Sequence, residues 1–226
     1  MAIAWSTYIS DNHGLMPESE TGNSVTAGYG NHPWVRDAGL GRTDNIQANR
    51  SRRLSALQQG LLFEYLQSID IYRCPSESRA QVLRTYSISG WLNGDPFHDG
   101  NLGSAFRTLV KREEVLSPAI SMSFIEEFDE RGDNLGSWIM TASETRDGMS
   151  AGWADWPGNF HNGGNGHAFV DGHARYRRFA SPQTGQISIR GSFPPLGDPD
   201  ARYYDSIFNP GQEPIDRGRR SGGRRN

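Results

Sequence analysis

Four side chains that could bind a transition metal lie within thirteen residues: His161, His167, Asp171 and His173. Imidazole and carboxylate groups are suitable ligands for zinc or iron. The Asp171-Gly172 pair also predicts a two-residue hairpin turn, in which both positions require positive φ. That register would direct His167 and His173 to opposite faces of the hairpin. We therefore expect a structural hairpin, with a metal-dependent hydrolase built on the three histidines as a less favoured alternative.

An acidic stretch at residues 126–134 offers the hard oxygen ligands that Ca²⁺ prefers. Its spacing does not match the D-x-[DN]-x-[DN]-G pattern of an EF-hand. Two interpretations follow: a solvated loop between two strands, or a loop ordered by calcium with Asp129 and Asp133 as the best candidate ligands. Calcium is the one cofactor that the sequence suggests.

The single cysteine, Cys74, excludes a disulfide bond within the chain and any zinc site built on several cysteines. It follows a predicted helix and precedes Pro75. A cysteine in that position is more often a small buried hydrophobic residue than an activated thiolate. The motifs G-x-S-x-G, G-x-x-x-x-G-K-[ST] and H-E-x-x-H do not occur in the sequence. We therefore expect a protein that is not an enzyme.

Aromatic residues supply the last candidate site. The chain contains six tryptophans, and exposed rings of Trp34, Trp91, Trp153 or Trp156 could form a platform for a carbohydrate. Packing inside the core is the more frequent use of such rings. An extracellular carbohydrate-binding module is therefore the main alternative function.

Composition and charge limit the classes of partner that the chain is expected to bind. The 226 residues carry 23 basic and 26 acidic groups, so the net charge of −3 gives no reason to expect nucleic acid as a partner. Residues 217–226 contain five arginines and no acidic residue. We interpret them as a solvated tail, with electrostatic docking onto a partner or an acidic surface as the alternative. No segment reaches the roughly 20 apolar residues that span a membrane.

Periodicity predicts the elements that would position these residues. Helical spacing of Ala2, Trp5 and Ile9 predicts a short N-terminal helix, and a longer apolar stripe predicts a helix near residues 51–68. Alternation and short apolar runs predict strands at residues 86–90, 119–125, 137–140, 166–170 and 173–179. Residues 152–165 are too rich in Gly, Asn and Trp for regular structure. Pro and Gly dominate after residue 180, with one possible strand at residues 186–190.

The order of five segments resembles a known family. They are WSTYISDNHGLMP, LLFEYLQSIDIYRCPSES, RTYSISGWLNG, LSPAISMSFIEE and NFHNGGNGHAFVDGHARYRRF. In the last segment, nine residues separate His161 from Asp171 and Gly172. The series is similar to bacterial prepilin-type proteins, and more specifically to the type II secretion G-like pseudopilins that end in an H-x9-D-G element.

The resemblance implies an α+β, pilin-like fold in which a truncated N-terminal helix packs on an antiparallel sheet with long loops. It divides the chain into a globular domain, residues 1–180, and a Pro/Gly-rich extension with the Arg-rich tail, residues 181–226. We expect His161 to hydrogen-bond into the turn at Asp171 and Gly172 and so to pin the Gly-rich loop before the hairpin.

The resemblance also implies a function, that of a non-catalytic structural subunit of a pseudopilus or type IV pilin-like filament. Its partners would be other pilin-like subunits, and its location periplasmic or extracellular. In that family a longer N-terminal helix anchors the subunit in the inner membrane before assembly. The apolar half of that helix is missing from this sequence, so we expect a soluble form whose only connection to the membrane would be the missing segment.

Overall fold

A computed structural model of the chain describes residues 1–19, 32–36, 38, 49–93, 108–129, 137–141, 151–186 and 194–208. The α-helices of this part are Ala2–Asp11 (α1), Arg50–Gln58 (α2), Phe63–Leu66 (α3) and Pro199–Phe208 (α4). Its strands are Tyr86–Ile88 (β1), Met122–Phe128 (β2), Met140–Thr141 (β3), Gly152–Trp153 (β4), Trp156–Pro157 (β5), Gly164–Phe169 (β6) and Ala174–Arg178 (β7). The protein thus has the mixed α+β class that the sequence predicted.

The main sheet is antiparallel with the order β1-β2-β6-β7, and β5 pairs with the end of β2. Strands β3 and β4 form a separate two-stranded sheet. Strand β2 has neighbours on both edges, and six of its seven residues are buried. It begins three residues later than predicted and takes in Glu126 and Glu127, so these two glutamates are not part of a solvated loop.

Helix α1 packs one face against the sheet. Trp5 is fully buried, and its ring meets the edge of Phe124 of β2 at a centroid distance of 6.4 Å. Tyr8 and Ile9 are also buried, whereas Ile3 on the outer face is 81% exposed. The predicted N-terminal helix is therefore confirmed. Among the described residues, no helix is both long enough and apolar enough to cross a membrane.

The single helix predicted near residues 51–68 is instead two helices, α2 and α3, with Gly60 between them. The backbone N–H groups of Leu61 and Leu62 donate to the carbonyl oxygens of Pro33 and Trp34 instead of continuing α2. A Cβ atom at Gly60 would collide with the carbonyl oxygen of Trp34. The helix breaks because another backbone segment crosses it at this glycine.

The predicted hairpin at Asp171 and Gly172 is present as β6–β7, with a register that differs by one residue. Phe169 and His173 pair through a backbone hydrogen bond of 2.9 Å, so the turn contains three residues, of which Gly172 alone has a positive φ, +96°. A three-residue turn of this kind typically has glycine in the left-handed position.

The one-residue shift places His167 opposite Arg175. His167, Phe169 and His173 now lie on one face of the hairpin, and the ring of His173 stacks on Phe169 at 4.2 Å. The prediction that His167 and His173 diverge is therefore wrong.

Two regions that were predicted to be irregular contain regular structure. Strands β4 and β5 lie within residues 152–157, and α4 lies within the C-terminal segment 181–226. Phe208 of α4 packs against the rings of Trp91 and Trp138, with centroid distances of 5.3 and 5.4 Å. Gln186, the first residue of another possible strand, is in a 3₁₀ helix, and residues 187–190 lie outside the described part.

Candidate functional site

Three side chains of different chemistry meet beside strand β2. Nε2 of His161 lies 2.8 Å from Oε1 of Glu126 and 3.4 Å from Sγ of Cys74. The three ligand atoms all lie within 4.8 Å of one another, and within the described residues this is the one group of three or more such side chains with that spacing. We call these residues the Cys-Glu-His cluster.

Glu126 is held by the sheet itself. It is the antiparallel partner of Tyr86 on β1, and its side chain is only 2% exposed. The backbone N–H of Gly166 on β6 donates to Oε2 at 2.7 Å, while His161 faces Oε1. A Cβ atom at Gly166 would lie 3.2 Å from Oε2, so the small residue leaves room for the carboxylate.

Cys74 is positioned by the segment that leads into β1. Its backbone N–H donates to Oγ1 of Thr85 at 2.7 Å, and the N–H of Thr85 donates to the carbonyl oxygen of Tyr72 at 3.0 Å. Burial raises the pKa of the Cys74 thiol, and nearby Glu126 raises it further. Because a reactive cysteine needs a lowered pKa and some exposure, the fully buried Cys74 has the packed character that its sequence position predicted.

His161 is held in a turn that precedes β6. The hydroxyl of Tyr176 donates to its carbonyl oxygen at 3.0 Å. The next two residues, Asn162 and Gly163, have positive φ, and the N–H of Gly163 donates to Oδ1 of Asn159. These contacts fix the backbone while the imidazole keeps 36% of its surface exposed. His161 thus holds the long loop through partners other than the predicted turn at Asp171.

The predicted bond between His161 and the turn at Asp171 is not formed. The ring of His161 faces Glu126 and Cys74, whereas Oδ1 of Asp171 accepts from the backbone N–H of His173 and lies 2.7 Å from its Nδ1. At Gly172, a Cβ atom would lie 3.8 Å from Oγ of Ser6. The two parts of the H-x9-D-G element therefore lie in different places. The histidine belongs to the Cys-Glu-His cluster, and the Asp-Gly pair belongs to the hairpin turn beside α1.

The three histidines of the predicted hydrolase have separate partners. Nε2 of His167 lies 2.8 Å from the hydroxyl of Tyr203, and His173 pairs with Asp171. Burial, reinforced by Arg175 and Arg177, lowers the pKa of His167 to about 4. The only group of metal-binding geometry in the described residues contains His161 alone of the three, so the less favoured alternative of a three-histidine metal site has no support in this part of the structure.

The predicted calcium ligands can be followed only in part. Asp129 follows β2, and its carbonyl oxygen accepts from Nη1 of Arg79 at 2.6 Å. Arg79 also forms an ion pair with Glu77. Asp133 lies outside the described residues, so calcium binding by Asp129 and Asp133 stays a prediction.

Three of the four tryptophans suggested for a sugar platform are buried. Trp34, Trp91 and Trp153 are buried in the core. Trp156 is half-buried, and its ring stacks on Phe128 at 6.3 Å. Since a carbohydrate platform needs open ring faces, the structure assigns the first three rings to packing.

Two members of the site were missed from the sequence. The sequence pattern places Glu126 in an acidic loop and gives Tyr86 no role beyond that of a strand residue. In the structure, burial together with Glu126 and Cys74 raises the pKa of the Tyr86 hydroxyl. The available signal was the apolar run of residues 122–125, which continues directly into Glu126.

Comparison with family models, with curated proteins and with solved structures finds no match for this chain. Two features stand out: an N-terminal helix docked by one face on the sheet, and a cluster in which a buried thiol and carboxylate meet a partly exposed imidazole.

Proposed function

We propose that this protein is a non-catalytic structural subunit of a pilin-like filament, a pseudopilus or type IV pilin-like assembly, located in the periplasm or outside the cell. Its partners would be other pilin-like subunits. The observation that carries the proposal is the docking of α1, in which a fully buried Trp5 fixes the helix on the sheet.

The division of α1 into two faces supports this role. Trp5, Tyr8 and Ile9 face the core, while Ile3 and Thr7 are exposed four residues apart on the other face. In a helix, residues four apart lie on the same side. The helix therefore has one surface bound to its own domain and a second surface available to another subunit.

The hairpin turn supports it as well. Gly172 lies beside Ser6 of α1, and Val170 is buried in the same core cluster as Trp5. The turn of the H-x9-D-G element thus packs beside the middle of the N-terminal helix, and such packing is a structural role.

Self-assembly tests the proposal. The purified chain at increasing concentration should form oligomers or filaments, measured by sedimentation velocity and electron microscopy. Ile3→Asp should abolish them without lowering the melting temperature, because Ile3 is 81% exposed. Leu196→Asp, at an exposed apolar residue outside α1, is the matched control and should leave assembly unchanged. A chain that stays monomeric, or assembly that is insensitive to Ile3→Asp, would contradict the proposal.

A further inference from the structure

We propose that Cys74, Glu126 and His161 form a binding site for a divalent transition-metal ion, with Zn²⁺ as the preferred ion. The inference is independent of filament assembly. It rests on the distances, burial and chemistry of the Cys-Glu-His cluster.

The spacing of the ligand atoms fits a small tetrahedral ion. Zinc–sulfur and zinc–nitrogen bonds of about 2.3 and 2.0 Å at a tetrahedral angle separate sulfur and nitrogen by about 3.5 Å, and Sγ of Cys74 lies 3.4 Å from Nε2 of His161. The corresponding nitrogen–oxygen separation is about 3.3 Å, against 2.8 Å between His161 and Glu126. The ion therefore requires a movement of about 0.5 Å, which the partly exposed ring of His161 can make.

One ring nitrogen of His161 lies close to both Cys74 and Glu126. Nε2 faces Sγ of Cys74 and Oε1 of Glu126 at the same time. A catalytic relay would use the two ring nitrogens for two partners, because a neutral imidazole nitrogen has one proton or one lone pair to offer. Convergence of three ligand atoms on one point is instead the arrangement that a metal ion needs.

The chemistry of the ligands selects the ion. Thiolate and imidazole favour zinc and related transition metals, whereas Ca²⁺ and Mg²⁺ are bound by oxygen ligands. Cys74 and Glu126 are buried side by side, and a divalent cation would compensate the charge of both when ionised. Three protein ligands leave a fourth tetrahedral position for water.

The surrounding shell supports the ligands. Gly166 holds the second oxygen of Glu126, and Thr85 holds the backbone of Cys74. Hydrogen-bonded partners of this kind orient metal ligands. A cavity of about 320 Å³ is lined by Glu126, Tyr86 and Ala2, and the His161 side chain, 36% exposed, leaves the cluster accessible to solvent.

Binding would connect three distant parts of the chain. The zinc ion replaces the thiol proton of Cys74, and that proton leaves to solvent, so affinity falls as the pH is lowered. The ion then joins the segment before β1, strand β2 and the loop before β6. This is a structural use of the metal, independent of any reaction.

The test uses the purified 226-residue chain after removal of metal with a chelator. We expect one Zn²⁺ per chain by calorimetric titration, and Co²⁺ should give the near-ultraviolet charge-transfer band of a thiolate ligand. Cys74→Ser should remove that band, and His161→Ala should weaken Zn²⁺ binding by more than about 100-fold, since loss of a ligand should exceed the effect of an outer-shell change. His173→Ala, on the neighbouring hairpin, is the control and should bind normally.

Several results would overturn the proposal. They are the lack of a cobalt–thiolate band in the unmodified chain, unchanged Zn²⁺ affinity in His161→Ala, and binding of Ca²⁺ in preference to Zn²⁺. If Cys74→Ser does not fold, the cobalt spectrum of the unmodified chain and the His161→Ala titration still decide the matter. Self-assembly is measured separately, so failure of either proposal is distinguishable.

Discussion

The hydroxyl of Tyr203 lies 2.8 Å from Nε2 of His167, and this contact connects α4 with the central strand β6. The guanidinium of Arg177 on β7 lies over the ring of Tyr203 at 3.8 Å and forms an ion pair with Asp200 at 3.1 Å. Asp200 is fully buried. The C-terminal helix is thus fixed to the hairpin by polar contacts as well as by its aromatic residues.

The buried histidine makes stability depend on pH. The folded-state pKa of His167 is lowered to about 4, chiefly by burial, and its unfolded value is about 6.5. The unfolded chain therefore binds the extra proton first, and the stability contributed above pH 6.5 is lost as the pH falls toward 4. The shift corresponds to about 3 kcal/mol. His167→Gln should flatten the pH dependence of the unfolding free energy in this window, measured by urea denaturation.

A histidine away from His167 provides the control for this effect. His13→Asn, at an exposed position in the turn after α1, should leave the pH dependence between 4 and 6.5 in place, because it does not alter the burial of His167. An equal slope in His167→Gln and the unmodified chain would show that His167 is not the responsible group.

Removal of an aromatic ring from α4 should destabilise the whole domain. Phe208 is 4% exposed and contacts Trp91 and Trp138, and Phe→Ala substitutions in cores typically cost about 3–5 kcal/mol. We expect Phe208→Ala to fall in that range by urea denaturation followed by tryptophan fluorescence. Arg202→Ala, at an exposed position of the same helix, should change stability by less than about 0.5 kcal/mol. A loss below 1 kcal/mol for Phe208→Ala would indicate that α4 is not part of the folding unit.

The sequence pattern was sufficient for the elements that pack by simple periodicity. Trp5 and Ile9 identified α1, and alternation located β1, β6 and β7 to within a few residues. The hairpin register was missed because two-residue and three-residue turns both favour an Asp-Gly pair. One extra residue in the turn is enough to exchange the faces, which brought His167 and His173 to the same side.

Helix α4 has a helical periodicity that can be seen in the sequence. Ala201, Tyr204 and Phe208 are buried at a spacing of three and four residues, and Pro199 occupies the first turn, where proline is tolerated. The high Pro and Gly content of the preceding segment hid this periodicity. The break at Gly60 could not be predicted, since it depends on a backbone segment from residues 33–34 that packs there.

The Cys-Glu-His cluster could not be predicted from the sequence, because its members are far apart along the chain. Cys74 and His161 are 87 residues apart, and 35 residues separate Glu126 from His161. Their meeting depends on the pairing of β2 with both β1 and β6. Cys74 and His161 were each singled out, but without that pairing nothing connected them with each other or with Glu126.

Loss of the His161 ring should loosen the loop before β6 even without metal. The ring is within hydrogen-bonding distance of a buried carboxylate, and such charged hydrogen bonds contribute about 1.5–3 kcal/mol. In the presence of a chelator, His161→Ala should lower the unfolding free energy by about that amount and increase protease cleavage in residues 158–163. His173→Ala removes an exposed pair with Asp171, and should cost less than about 1 kcal/mol. Equal cleavage of the two variants would contradict this role of His161.

Because residues 33–35 pack directly against Gly60, one added methyl group at this position should strongly lower the stability of the protein. In Gly60→Ala the new Cβ atom would collide with the carbonyl oxygen of Trp34 and with Cα of Val35, both backbone atoms that cannot move independently of the core. Overpacking typically costs about 1–3 kcal/mol, and a collision with backbone belongs at the upper end. Gly185→Ala is the matched control, because its nearest neighbours would be 3.7 and 3.8 Å away. Thermal and urea unfolding should separate the two variants by about 2–3 kcal/mol, and equal stabilities would mean that the chain does not cross α2 and α3 at this glycine.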